Sequence, residues 1–283
     1  TSVIGWVFIA FFLILVGLYF MVYNLMNGYT DFSPVFSGVE LFFILLLVPV
    51  LTMRIIAEEN RQKTDQLLYT SPVSITKIIL GKYLALITLF GIAMLVVCLY
   101  PLILSGLVKQ VATGTEAVDF AIAYGSILGF FLLGAAYIAI GMFISSLTES
   151  QVIAAVASGV IMIFTYLMTS LAGLLPSGHT FVFWFLAVLI LVLSVGLYYW
   201  IHNGWLAGII GVLAEAALVI LFLLKTESFD GLIGNVLSQI SITDRYQNFT
   251  YGIFDVSALV YYISVAFLFV FITIQRIKKK RFN

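Results

Sequence analysis

The chain has 283 residues, 63% hydrophobic and only 9% charged, with a mean hydropathy of +1.18, whereas a soluble domain carries about 25% charge. Too few polar groups exist to cover a folded surface in water, so lipid must solvate much of the chain, and a soluble globular domain is excluded. Thirteen basic and thirteen acidic residues cancel, which leaves no global field to gather nucleic acid, and a single cysteine, Cys98, excludes an internal disulfide.

In chain order, eight apolar runs are long enough to cross ~30 Å of hydrocarbon at ~1.5 Å per residue. They lie near 3–24, 35–56, 78–105, 118–147, 151–172, 181–201, 205–224 and 256–275. Lipid-exposed strands would leave backbone groups unpaired, so the runs are helices. The fold class is all-α, a polytopic membrane protein of about eight transmembrane helices forming a single transmembrane domain over 1–283. The first run exceeds the ~7–15-residue apolar region of a signal peptide and reads as a first span. After it, Asn27-Gly28-Tyr29-Thr30-Asp31 through Ser33-Pro34 is a turn-rich connector.

The second gap, Arg54 to Lys82, is the largest block of charge. Runs six and seven, 181–224, joined at His202-Asn203-Gly204, form either a tight hairpin or a shorter re-entrant pair. The 225–255 loop follows, with Leu232, Val236, Leu237, Ile240 and Ile242 at roughly helical spacing among Asn235, Ser238 and Gln239. That pattern predicts an amphipathic helix on the outer membrane surface. Eight crossings put both termini on one side. With the termini inside, the inner segments hold Arg54, Arg61, Lys63, Lys77, Lys82, Arg276, Lys278, Lys279, Lys280 and Arg281, and the outer ones only Lys109, Lys225 and Arg245. The positive-inside rule therefore predicts cytoplasmic termini.

Residues 54–82 read RIIAEENRQKTDQLLYTSPVSITKIILGK. Charges of both signs are followed by an apolar patch, Leu67-Leu68-Tyr69, then by the break at Ser71-Pro72, and Ser74 is placed to cap the third span. A short helix ending in exposed apolar residues wants membrane or a protein partner; an ordinary solvated loop is the alternative that these residues leave open.

The run Leu51-Thr52-Met53-Arg54, then Ala57-Glu58-Glu59, Arg61, Thr64, Leu67-Leu68, Ser71-Pro72-Val73-Ser74 and Gly81-Lys82 resembles the ABC-2 type transporter permeases. It is most similar to the branch serving gliding motility and nitrous-oxide maturation. Two positions depart from the pattern: Lys63 stands where the family has the Gly of a Gly-Thr pair, and Gln66 where it has Glu. The family commonly has six spans, so 181–224 reads as an inserted hairpin.

The resemblance implies that this chain is the permease subunit of an ATP-binding cassette transporter, an exporter in a bacterial cytoplasmic membrane. It implies two partners, a separate ATPase subunit that carries the ATP and Mg, and a second permease protomer, identical or different. An extracytoplasmic accessory protein stays open as a third. The 57–77 loop would then be the coupling element docked on the ATPase, through Glu58, Glu59, Arg61, Thr64, Leu67 and Leu68.

Within the spans, Glu40 and Glu215 are the acidic residues. A charge there costs about 2.5–3.5 kcal/mol on insertion scales, which makes both candidates for substrate or proton contact. The plainer alternatives are a protonated carboxyl bonded to a neighbouring helix and an interfacial charge. Pro49 and Pro101 are expected to kink their helices, and Gly125, Gly129, Gly134 and Gly141 to let helices pack closely. His179 and His202 stand alone, so no metal site is expected. No phosphate-cradling G-x-x-x-x-G-K-[ST], no HExxH and no Ser/His/Asp arrangement occurs, so no catalytic residue and no cofactor is assigned to this chain. The rival reading is an ion-coupled secondary transporter or channel that acts without an ATPase, through Glu40 or Glu215.

Overall fold

The structure is a computed structural model that describes residues 3–64, 73–111, 117–201 and 204–282. Every regular element among the described residues is helical, as lipid requires of a backbone that must pair its own polar groups. The first half comprises α1 (Val3–Phe20), α2 (Ser33–Phe42), α3 (Val48–Thr52), α4 (Ala57–Gln62), α5 (Ile75–Val97) and α6 (Tyr100–Val111). The second comprises α7 (Phe120–Leu147), α8 (Gln151–Leu174), α9 (His179–Ile201), α10 (Gly204–Leu224), α11 (Leu232–Ile240), α12 (Gln247–Thr250) and α13 (Val256–Phe282).

Seven stretches among the described residues are long and apolar enough to cross a membrane: Gly5–Met26, Ser33–Gln62, Ile75–Val108, Phe120–Leu147, Gln151–Met168, His179–Tyr198 and Val256–Lys280. The run predicted at 205–224 forms α10, whose apolar stretch Gly208–Leu224 is shorter than the other seven. The second span outruns its predicted end at 56, because α2, α3 and α4 follow one another as far as Gln62. Between α2 and α3 the helix widens into a π turn, Phe43–Leu47, just before Pro49. Proline has no N–H to donate and its ring crowds the carbonyl four residues back, so a wider turn relieves the clash. At Pro101 the same chemistry separates α5 from α6, leaving a break at Cys98 and Leu99.

The fold divides into two compact units, Thr1–Tyr166 with Arg245–Asn283, and Leu167–Asp244. In the first unit α7 is the axis, with 72% of its apolar window buried against 28% for Gly5–Met26. Phe12 of α1, Phe43, Phe90 of α5 and Phe130 of α7 are fully buried and interlock. Ring centroids lie 4.9 Å apart for Phe43–Phe130, 5.1 Å for Phe43–Phe90 and 5.7 Å for Phe12–Phe90. Between lipid-soluble helices the gain comes from such contact rather than from water release. Glycine makes room for it: a methyl built at Gly134 would enter the Phe90 ring, and one at Gly141 would run into Thr52.

At one end of this unit Asn24 locks the connector after α1, donating to the carbonyls of Tyr29 and Asp31 at 2.8 Å each. Asp119 caps α7 by accepting from the N–H of Ala121 at 2.8 Å. Asp255 does the same for α13, accepting from Ser257 N–H at 2.8 Å and from the Asn248 amide at 2.7 Å.

In the second unit α9 and α10 lie antiparallel, with Phe183 against Phe222 at 4.6 Å and Ser194 against Gly211. Val182, Ala187, Leu218, Phe229 and Ile233 form the core, which seats α11 across the pair. Only 11% of the α9 window is buried, so most of this helix's surface is left uncovered by the chain itself. The turn before α11 is held by Gly231, at φ 68°, whose N–H donates to Ser177 at 2.9 Å.

Candidate functional site

The short helix α4 is fixed by four other parts of the first unit. Its N-cap residue, Ile56, has no side chain that can accept, so the free N–H groups of the first turn need an outside partner. Ser145, fully buried near the end of α7, supplies it. Its Oγ accepts from Ala57 N–H at 3.1 Å and from Ile56 N–H at 3.3 Å, and donates to the Met53 carbonyl at 3.0 Å.

The two acids of α4 are both engaged within the chain. Glu58 takes a two-pronged contact from Arg54 one turn back, at 2.5 and 2.6 Å, a geometry that favours arginine over lysine. Glu59 pairs with Lys82 of α5, and the same ammonium donates to the Ile55 carbonyl at 3.1 Å. Asn60, also buried, accepts from Lys280 of α13 at 3.1 Å.

The helix ends on Lys63, the one residue other than glycine with positive φ (57°) among the described residues. Thr64 N–H returns to Glu59 O at 3.1 Å and Lys63 N–H to Asn60 O at 3.3 Å. This is the Schellman closure, whose left-handed position is normally glycine. It gives a physical reason for the glycine that the family pattern carries where this chain has Lys63.

Of the predicted coupling residues, then, Glu58 and Glu59 are paired with basic partners of the same chain, and Thr64 closes the helix. Arg61 is exposed and makes no hydrogen bond or ion pair among the described residues. With Lys63, also exposed, it leaves the outer face of α4 basic. Leu67 and Leu68 lie outside the described residues.

Glu40 and Glu215 belong to different units. Glu40 is buried on α2 at 6% exposure, within electrostatic reach of Tyr166, Tyr246 and Tyr262. Glu215 is half-buried on α10, and its Oε1 has no hydrogen-bond partner among the described residues. His179 lies beside Asp230, ring nitrogen to carboxylate 3.2 Å and backbone N–H to carboxylate 2.8 Å. His202 is outside the described residues, among which no three His, Cys, Asp or Glu side chains cluster as a metal site would need.

Sequence reading missed Ser145, Lys82, Asn60 and Lys280 as parts of one seat. The available signals were Ser145-Ser146 at the end of an apolar span and a lysine at the start of α5. Neither names its partner.

No curated protein and no solved structure matches this chain. The family model of ABC-2 family transporter proteins matches residues 23–225, well over half of the chain and including all of α4, Glu40 and Glu215. The chain belongs to the ABC-2 transporter family and is a multi-pass membrane component of an ABC transporter.

Proposed function

We propose that this chain is an exporter permease that receives its energy from a separate ATPase through the 57–77 loop. The observation that carries the reading is the seat of α4. One short helix is tied to α3 and α7 through Ser145, to the preceding turn through Arg54, to α5 through Lys82 and to α13 through Lys280. A force applied to its outer face is thus delivered to several transmembrane segments at once, without the freedom of an ordinary loop to absorb it. ATP-driven closure of two ATPase subunits would bias the permease between two packings, a population shift rather than chemistry by this chain.

In this reading Arg61 and Lys63 meet acidic groups of the ATPase, Leu67 and Leu68 supply the apolar anchor, and Glu58 and Glu59 hold the helix in place. ATP and Mg belong to the ATPase, and this chain binds no cofactor. A second permease protomer completes the path. Cytoplasmic termini follow from the basic bias, and export and a bacterial membrane from the family resemblance. The finer likeness to the gliding-motility and nitrous-oxide-maturation branch rests on the loop motif alone.

The test is co-purification with the ATPase encoded beside this chain. Arg61→Ala/Leu67→Ala/Leu68→Ala should lose the ATPase while still inserting in the membrane. Ser145→Ala should keep it but lose substrate-stimulated hydrolysis. If no ATPase binds the wild type, or the triple variant binds unchanged, the reading is wrong, and ion-coupled transport through Glu40 or Glu215 takes its place. That second reading draws on the half-buried Glu215 carboxylate oxygen with no partner among the described residues.

A further inference from the structure

An apolar groove of about 450 Å3 runs along the first unit where α5 and α13 diverge over α7. Thr76, Leu80 and Tyr83 of α5 form one wall, Phe267 and Ile274 of α13 the other, and Ala135 of α7 lies in the floor. Leu80 is 42% and Phe267 72% exposed, so the groove opens sideways, toward lipid. The groove's α13 wall runs from Ile263 to Ile274. The eleven steps from Ile263 to Ile274 rise ~16 Å at ~1.5 Å per residue, about one leaflet of a ~30 Å hydrocarbon core.

The size of the groove decides what kind of chain it admits. A helix ~10 Å across and ~16 Å long fills roughly 1,200 Å3, nearly three times the space. An acyl chain fits within that space, whereas a transmembrane helix could only lie across its open side.

Charge decides which lipid. The groove is apolar along its length but ends among basic residues. Lys278 lies four residues beyond Ile274, on the same face of α13, and Lys77 lies next to Thr76, three residues before Leu80. Neither lysine side chain is hydrogen-bonded or ion-paired among the described residues, whereas Lys82 and Lys280 are spent on α4. Two lysines with no side-chain partner among the described residues thus lie, by their positions on α5 and α13, just beyond the Thr76–Ile274 end of a leaflet-long apolar slot.

We infer that this groove is a binding site for one anionic phospholipid, with an acyl chain between α5 and α13 and its phosphate held by Lys77 and Lys278. Because α4 is tied to both of these helices through Lys82 and Lys280, the lipid braces the two helices that support it. The inference does not depend on the transport reading.

The full chain is purified in detergent and titrated with phosphatidylglycerol or phosphatidylcholine of identical acyl chains, and retained lipid is read by native mass spectrometry. Each surface lysine is worth roughly 5-fold in affinity for an anionic lipid, so the wild type should retain phosphatidylglycerol about 30-fold better. Lys77→Gln/Lys278→Gln should bring the two lipids level. Phe267→Ala, an exposed position that the fold tolerates, should weaken both several-fold by removing one wall. Equal retention of the two lipids by the wild type would overturn the inference, as would an undiminished preference in the double lysine variant. A third result would also overturn it: efficient disulfide cross-linking of Phe267→Cys between copies, in a Cys98→Ala background, which would show the groove covered by a second chain.

Discussion

The hydroxyl of Ser145 accepts the backbone N–H of Ala57 at 3.1 Å across 88 residues of chain, so the helix that faces the proposed partner is capped from inside the membrane domain. A serine cap replaced by alanine costs ~1 kcal/mol, and two buried N–H groups left unpaired add to that. Ser145→Ala is therefore expected to destabilise the first unit by ~1–3 kcal/mol. Hydrogen exchange should show the loss concentrated at Ile56–Asn60, with the rest of α7 unchanged. Uniform deprotection of the unit would mean that Ser145 acts on packing, not on the cap.

Lys63 closes α4 in the left-handed region, at φ 57°, where a side chain costs roughly 1–2 kcal/mol and glycine pays almost nothing. Lys63→Gly should slow proteolysis at 62–65 and raise protection of the Thr64 amide several-fold, by ~1 kcal/mol less the extra entropy of an unfolded glycine. Lys63→Ala, which removes the charge and keeps the strain, should do neither. Equal effects from the two would trace the change to charge.

Run length alone was enough to reveal most of the spans, because about twenty consecutive apolar residues have few other uses. The third span begins beside Ser74, whose hydroxyl accepts from Lys77 N–H at 3.4 Å, as the capping rule anticipates. Arg54 and Glu58 sit at i and i+4, a contact that sequence spacing can suggest. The contact of Glu59 is of another kind. Its partner Lys82 lies 23 residues on and arrives only because α5 starts beside α4. From sequence, two adjacent acids in a polar loop read as free charges offered to another protein. In the fold their charge is already answered, which leaves Arg61 and Lys63 facing outward. The uneven depth of the helices was equally hidden: α7 and α9 look alike as apolar runs, yet one is the axis of a unit and the other is mostly uncovered by the chain.

The Glu59–Lys82 pair tests whether α4 and α5 move together. Lys82 is 16% and Glu59 31% exposed at the side chain, so the pair is partly shielded and worth more than a surface contact, ~1 kcal/mol of coupling energy. A double-mutant cycle with Lys82→Met and Glu59→Gln should return that value. Lys82→Met alone should cost more than Glu59→Gln alone, since it also strands the Ile55 carbonyl. Additive effects would show the two side chains to be independent.

Asp255 makes the start of α13 sensitive to acid. The Asn248 amide, followed by the N–H of Ala258, holds its carboxyl below the usual aspartate range. A carboxylate whose folded pKa is depressed contributes its stability in full above the unfolded value, ~3.9, and loses it as pH falls through the lower folded value. Protection at 256–259 should thus be flat from neutral pH to about 4 and decline below it. Asp255→Asn should be less protected near neutrality and lose that acid-dependent step. A wild-type decline centred near pH 6 would point to another group.

Gly141 and Thr52 offer the sharpest test of the packing around α7. A methyl at Gly141 would overlap the fully buried Thr52 side chain, whose hydroxyl is already bonded to the Val48 carbonyl at 2.9 Å and is not free to swing away. Overpacking of this kind costs typically ~1–3 kcal/mol. Gly141→Ala should therefore lower the thermal midpoint of the detergent-purified chain clearly, and Thr52→Ala only slightly. Combining the two should recover part of the loss, because the second substitution removes the hydroxyl and methyl that the first one strikes and leaves only the Thr52 Cβ, 2.9 Å away. Thr52 immediately precedes the turn that Ser145 ties down, so the same Gly141→Ala variant should also loosen α4. If the double variant is as unstable as the sum of its parts, the clash lies elsewhere and the α3–α7 contact is looser than this geometry requires.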